Sequence, residues 1–336
     1  MMRSPLLNVG GAVPAEGVDA EVAAHYGDPM REQRMLAGDN GLVDRSNRGV
    51  VIVTGADRLT WLHSLTTQDL ENLPRGKGTE ALILDPNGHI EHHLTLVDDG
   101  ETTWIHVEPT TAPALADWLL SMRFMMGVEV ADITEDVAVM TQSPGAKSLP
   151  HPTSDGRLGR DVFLPRTEIM QHLPEEVELV GIWAYEALRI ADLQPRLGID
   201  TDDRTIPNES RWLHTAVHLA KGCYRGQETI ARVSNLGQPP RRTLLMQLDG
   251  AADRLPERGA PVEMEERTVG RAGSSARHHE MGPIALGVVK RAAADRAFVE
   301  ADATPVVVDG IAGMLEADPL QAPADRAPRP DLIRFA

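Results

Sequence analysis

Cys223 is the only cysteine in this chain of 336 residues. That excludes an intrachain disulfide and any zinc centre built on several cysteines, and it suits a reducing compartment. Aromatic residues make up only 4% of the chain, so the core must be mostly Val, Leu, Ile, Ala and Met, and an apolar content of 42% is ample for one. No apolar run reaches the roughly 18 residues of a membrane span. The stretch Met1 to Ala15, interrupted by Asn8, Gly10 and Gly11, lacks the apolar and cationic segments of a secretory leader; a cytoplasmic protein is expected. Also missing are the dinucleotide fingerprint, the Walker loop, the nucleophile elbow and the zinc-protease helix. Their absence argues against nucleotide hydrolysis, dinucleotide redox and ordinary hydrolase chemistry. Positive charge is short as well: the net charge is −17, so the chain should repel nucleic acid and no direct contact with it is expected.

What cations there are gather around the cysteine. From Lys221 to Arg242 the chain carries Lys221, Arg225, Arg232, Arg241 and Arg242 against Glu228 alone. Such an island fits a small anionic ligand, although solvated or paired surface arginines leave the same trace. Within Lys221-Gly-Cys-Tyr-Arg-Gly-Gln-Glu228, two glycines bracket the thiol and open backbone conformations closed to other residues. If the segment is extended, Lys221, Cys223 and Arg225 share a face, and two nearby cations favour the thiolate. Against this stands the ordinary fate of a lone cysteine, a small buried hydrophobe.

Read in order, residues 1–32 are rich in Gly, Ala and acidic residues and suggest a flexible arm, with order beginning near Leu42. The region 33–142 then runs β-α-β-β-β-α-β. Gly49–Thr54 is a β-branched strand, and a helix follows over 56–66. Strands at 80–84 and 90–97 flank the turn Asp85-Pro-Asn-Gly88. A strand at 103–107, a helix at 111–124 and strands at 128–130 and 136–141 complete the region. Residues 143–240 form a second α/β region with a buried helix over 181–193 and the cysteine stretch. Residues 241–317 change to short strands (244–248, 261–264, 268–271, 284–290, 297–300, 305–308), the pattern of a small barrel. Residues 318–336 are a Pro/Ala-rich tail expected to be mobile. On a regular strand His89, Glu91 and His93 would face one side, but ligands spaced about 7 Å apart suit a single ion poorly, and no metal is assigned.

The string KGCYRGQE closely resembles the signature of YgfZ-type folate-binding proteins, relatives of the glycine-cleavage T-protein (aminomethyltransferase). The resemblance extends over roughly Leu42 to Val308. It includes Arg189-Ile190, Pro195, Asp200, Pro207-Asn-Glu209 and the stretch Gly270 to Lys290. It implies an α+β, three-domain aminomethyltransferase-like folate-binding fold, with mixed α/β domains and a C-terminal β-barrel around a central opening. It implies tetrahydrofolate, or another reduced folate, as cofactor. Glu209 would bond the pterin; Lys221, Tyr224, Arg225, Gln227 and Arg232 would line the site, and Arg189 would brace it. Cys223 would act as a thiolate. Iron–sulfur proteins or their assembly factors are the implied partners, so the chain would support iron–sulfur assembly or repair and, through it, tRNA-modifying enzymes. Two departures separate it from the transferases: His92 and His93 stand where those carry paired aspartates, and the transferases lack the cysteine. A one-carbon transferase or demethylase, and a scaffold that keeps only the fold, are the alternatives.

Overall fold

A computed structural model describes residues 3–38, 40–146, 151–156, 158–171, 173, 178–299 and 304–321. The β-branched run Gly49–Thr54 is a strand, and it joins a five-stranded antiparallel sheet. The spatial order is Gly78–Leu84, Ile90–Asp98, Thr102–Val107, Gly49–Thr54, Glu129–Asp132. Helices Arg58–Leu65 and Ala112–Ser121 cover one face. Leu62, Leu115 and Leu119 bury themselves there against Val51, Val53, Leu94 and Leu96, which is the burial that drives such a layer together. The expected β-α-β-β-β-α-β order is the one observed.

A second five-stranded sheet is assembled from distant parts of the chain. Its order is Thr153–Gly156, Gly159–Pro165, Val137–Gln142, Gly41–Asp44, Glu178–Val180. Leu42 pairs with Gln142, and only the last pair of strands is parallel. The break drawn between residues 142 and 143 therefore falls inside this sheet rather than between layers.

The N-terminal segment is a correction. Instead of forming a loose arm, residues 3–38 are packed. Leu6, Val22 and Leu36 are fully buried, and the Ser4 hydroxyl donates to buried Asp44. Asp28 caps the helix Pro29–Ala37, its Oδ1 accepting from the Met30 and Arg31 amides at 3.1 and 2.9 Å. Ala23 and Ala24 are buried in close packing. A Cβ on Gly181 would lie 2.1 Å from the Ala24 carbonyl oxygen.

The helix Ile182–Ala191 joins the parts, with Ile182 and Ala184 packed against the N-terminal layer and Ile190 against Leu245, Ile284 and Leu286. Beyond it Trp212, Ala216, Tyr224 and Ile230 fill the other face of the first sheet, against Leu82, Leu84 and Ile90. The C-terminal part is a closed six-stranded barrel: Arg241–Leu248, Gly282–Lys290, Arg267–His278, Pro261–Met264, Thr304–Val308, Ile311–Leu315. Of the strand expected at 297–300, residues 297–299 are instead the end of the helix Arg291–Val299, whose alanine-rich run favours a helix, and residue 300 lies outside the described residues. The closing strand Ile311–Leu315 was not anticipated. Of the tail, Asp318 receives the Arg211 guanidinium at 3.0 Å and Gln321 Nε2 donates to the Thr243 carbonyl at 3.0 Å; residues 322–336 lie outside the described residues. No helix among the described residues is long and apolar enough to cross a membrane.

Candidate functional site

The cysteine stretch is a loop, not an extended strand, and it leads into the helix Gln227–Leu236. Lys221 and Arg225 therefore do not share a face with the thiol. The Lys221 side chain turns inward. Its Nζ donates to the carbonyls of His63, Thr66 (2.7 Å) and Gln68 (2.9 Å) at the end of the helix Arg58–Leu65, which satisfies helix-terminal acceptors. Burial lowers its pKa to about 8. Tyr224 is a core residue whose hydroxyl is pushed up to about 12 by burial. Gly226, with φ of 80°, lies against the turn Asp85–Gly88. Between these anchors Cys223 is exposed; it is not the buried hydrophobe of the ordinary case.

The positive island is largely neutralised inside the chain. Arg225 pairs with Glu91 at 2.9 Å and Arg232 with Glu228 at 2.5 Å. Arg241 pairs with both Asp202 (2.5 Å) and Glu209 (2.9 Å). Arg242 is buried beside Gln238 and Gln321. Glu209, the expected pterin ligand, is 1% exposed and bound by Arg241 through both oxygens; burial pushes its carboxyl up, and Arg241 opposes that shift. Gln227 is the first residue of its helix. On the first sheet a register shift leaves Glu91 bulged between the pairs Ile83–His92 and Leu84–Ile90, so the alternation assumed for His89, Glu91 and His93 fails. His89 bonds Asp85 at 3.0 Å and His93 bonds Glu80 at 3.0 Å. Among the described residues no group of three or more His, Cys, Asp or Glu is arranged to hold a metal.

The residues that do converge are mostly others. At the junction of the two sheets and the helix Ile182–Ala191 lies a cavity of about 50 Å³. The first sheet contributes Glu80, His93 and Thr95 to its wall, the helix contributes Tyr185, Glu186 and Arg189, and Trp212 closes one side. The polar run Asp44-Arg-Ser-Asn-Arg48 crosses from one sheet to the other here, buried at every position. Of the seven expected cofactor residues, only Arg189 lines this cavity.

Its charges are mutually satisfied. Arg196 holds Asp19 at 2.7 Å, Glu108 at 2.8 Å and Glu186 at 3.1 Å. Arg48 holds Glu108 at 2.6 Å. Arg189 holds Glu186 and Asp200 and donates to the barrel residue Ser274 at 2.5 Å. Burial alone would raise the Glu108 carboxyl, but the Arg196 and Arg48 guanidiniums outweigh it and hold it well below the usual range. Arg45 lies 4.2 Å over the Tyr185 ring and bonds Asp161 at 3.1 Å. What remains unsatisfied is neutral: Asn47 Oδ1 is buried without a hydrogen-bond partner.

Apart from Arg189, sequence reasoning missed this set. Its one visible signal was the polar run 44–48 between two strands that are apolar on both faces.

Comparisons with known proteins agree with this architecture. Residues 9–154 match the GCVT N-terminal domain model. A chloroplastic protein of Arabidopsis thaliana, whose name assigns it provisionally to the transferases, is 26% identical over 330 residues, covering 85% of this chain and 72% of that protein. The aminomethyltransferase of Nostoc sp. is 25% identical over 336 residues, covering 86% and 88% of the two. Among solved structures, the glycine cleavage system aminomethyltransferase T from Bartonella henselae superposes with a TM-score of 0.76 at 18% identity, covering 94% of this chain and 96% of that one. Residues 9–154 thus match the GCVT N-terminal domain model, and the chain has the aminomethyltransferase fold over nearly its whole length.

Proposed function

We propose that this chain is a cytoplasmic, reduced-folate-binding accessory protein that supports iron–sulfur cluster assembly or repair, with Cys223 as its working thiol. The observation that carries the reading is the presentation of that thiol. Lys221 and Tyr224 are buried on either side, Gly226 is pinned, and Cys223 is exposed between them, with Gly222 and Arg225 exposed beside it. The KGCYRGQE signature supplies the iron–sulfur part of the proposal.

Tetrahydrofolate would bind at the central cavity. The donor set suits it: a pterin and an amide-linked glutamate are rich in N–H groups, and Asn47 Oδ1 is an acceptor in want of one. The folate would supply a carrier for one-carbon units; Asn47, Tyr185 and Thr95 would orient it and Arg189 would hold the wall. A cavity of about 50 Å³ is far below the ~300–1,000 Å³ of small-molecule pockets, so part of the chain must move to admit it.

One observation favours a second reading, folate-dependent one-carbon transfer. Glu80 returns a carboxylate to the cavity wall beside His93, where the transferases carry aspartate. Three measurements separate the readings. Anaerobic calorimetry with tetrahydrofolate should give saturable binding. Cys223→Ser should fail to restore iron–sulfur enzyme activity in a deletion strain; full restoration would remove the thiol role. Formation of methylene-tetrahydrofolate from an aminomethyl donor by purified protein would bring the transferase reading forward.

A further inference from the structure

We propose that Arg196 and Asn47 form a carboxylate-binding subsite at the central cavity, and that the chain's own Asp19 fills it as a displaceable plug. The ligand class is a carboxylate with an N–H close to it, such as an amino acid or its N-acyl derivative. The glutamyl end of a folate belongs to that class; only this identification rests on the folate reading.

Asp19 sits at the tip of the hairpin whose strands are Val13–Pro14 and Ala23–His25. The tip faces solvent. Glu16, Gly17, Val18 and Ala20 are exposed, and Asp19 alone among them is buried. Its carboxylate is gripped on both oxygens. Arg196 donates to Oδ2 at 2.7 Å and to Oδ1 at 3.1 Å, and Asn47 Nδ2 donates to Oδ1 at 2.6 Å. This two-pronged contact is how arginine recognises a free carboxylate.

Two features make the contact replaceable. Arg196 keeps Glu108 and Glu186 when Asp19 leaves, so withdrawal does not strand a buried guanidinium, the event that makes breaking such pairs unfavourable. The hairpin is held by Ala15, Val22 and Ala24 in the core behind the tip, and Gly17, at φ of 61° with open space around it, gives the tip a joint. A third feature points to a ligand other than Asp19. Asn47 Oδ1 is buried and unpartnered; aspartate brings no donor for it, whereas a carboxylate with an adjacent N–H would satisfy both ends of the Asn47 amide.

The test is chemical rescue in the full-length protein. Asp19→Ala should show a melting temperature that rises saturably with sodium acetate and is unmoved by the neutral isostere acetamide, while the wild type responds to neither. Tetrahydrofolate should bind Asp19→Ala at least about fivefold more tightly than wild type, the lower end of usual site coupling, and 6-methyltetrahydropterin, which lacks the glutamate, should bind both alike. Should Asp19→Ala fail to fold, Asp19→Asn is read by the same folate comparison. Loss of acetate rescue, or folate binding unchanged or weakened in the variant, overturns the plug. Acetate rescue with no folate binding to either protein leaves the subsite standing and removes the folate reading instead.

Discussion

Of the two glycines that flank Cys223, the backbone requires only one. At Gly226, φ is 80° and a Cβ would fall 2.6 Å from the Asp85 carbonyl oxygen and 2.9 Å from Gly88 Cα. Gly226→Ala should lower unfolding free energy by at least ~1–2 kcal/mol from the left-handed conformation alone. Gly222 has open space and an ordinary φ, so Gly222→Ala should stay within about 0.5 kcal/mol of wild type. Urea midpoints of the two variants check the pair, and equal losses would refute the distinction. A buried histidine gives a second prediction. His106 Nε2 lies 2.7 Å from Asp161 and its Nδ1 accepts from Arg48 Nε at 3.3 Å, a neutral tautomer with both nitrogens used. Burial lowers its pKa to about 4 from 6.5, and burial does the same to His92. As pH falls from about 6.5 to about 4 the unfolded chain takes up protons that the folded chain refuses, so stability is full above this window and declines through it. His106 alone accounts for a loss of order 3 kcal/mol. His106→Gln should remove about half of that pH slope in urea titrations, leaving the His92 share. Neither the burial of His106 nor the half-burial of His92 was legible: a threonine-rich strand and a His-His pair look the same in sequence whether the ring meets solvent or the protein interior.

At the scale of elements, the N-terminal segment separates sequence expectation from structure most sharply. A loose arm could be removed without effect. Deleting residues 1–9 takes Leu6 out of the core formed with Leu42, Met140 and Leu164, and it removes the Ser4 hydroxyl from Asp44, a carboxylate that burial pushes upward and that Ser4 and Ser46 hold down. The buried leucine is worth about 1.5–3 kcal/mol, and an unsatisfied buried acceptor costs about 1–3 kcal/mol more. A loss above about 3 kcal/mol in urea denaturation is expected; a loss below about 0.5 kcal/mol would restore the arm. The cues were present, since Asp28-Pro29 is a helix start by capping and by the fixed φ of proline. They were outweighed by a composition of small and acidic residues. Helix Arg291–Val299 failed for the opposite reason: Ala297 to Glu300 continues a run of short strands, and only the preceding alanines set it apart.

Over the whole molecule, the strands of the first sheet and most of the barrel were legible because each carries its own burial pattern. The second sheet was not, since Gly41–Asp44, Val137–Gln142 and Glu178–Val180 meet only after long detours. The cavity shares that obscurity. Arg48, Arg189 and Arg196 come from three separate stretches, and no local spacing announces their meeting. The same long-range assembly should make the protein unfold as one unit. Arg189 is 1% exposed and ties Glu186 of the connecting helix and Asp200 of the following loop to Ser274 of the barrel. All five tryptophans (Trp61, Trp104, Trp118, Trp183, Trp212) lie outside the barrel, so their fluorescence reports the sheets while far-ultraviolet circular dichroism reports the whole chain. In wild type the two urea transitions should coincide, the mark of a single cooperative transition. Arg189→Met leaves buried Asp200 without its arginine and takes one of two from Glu186, and stranding a buried charge typically destabilises by about 3–5 kcal/mol. It also cuts the link to the barrel, so the dichroism transition should split while the fluorescence one moves to lower urea. Coincident transitions in the variant, shifted by less than about 1 kcal/mol, would mean that apolar contacts of Ile190 and Leu193 with Leu245 and Leu286 hold the barrel without help from the ion network.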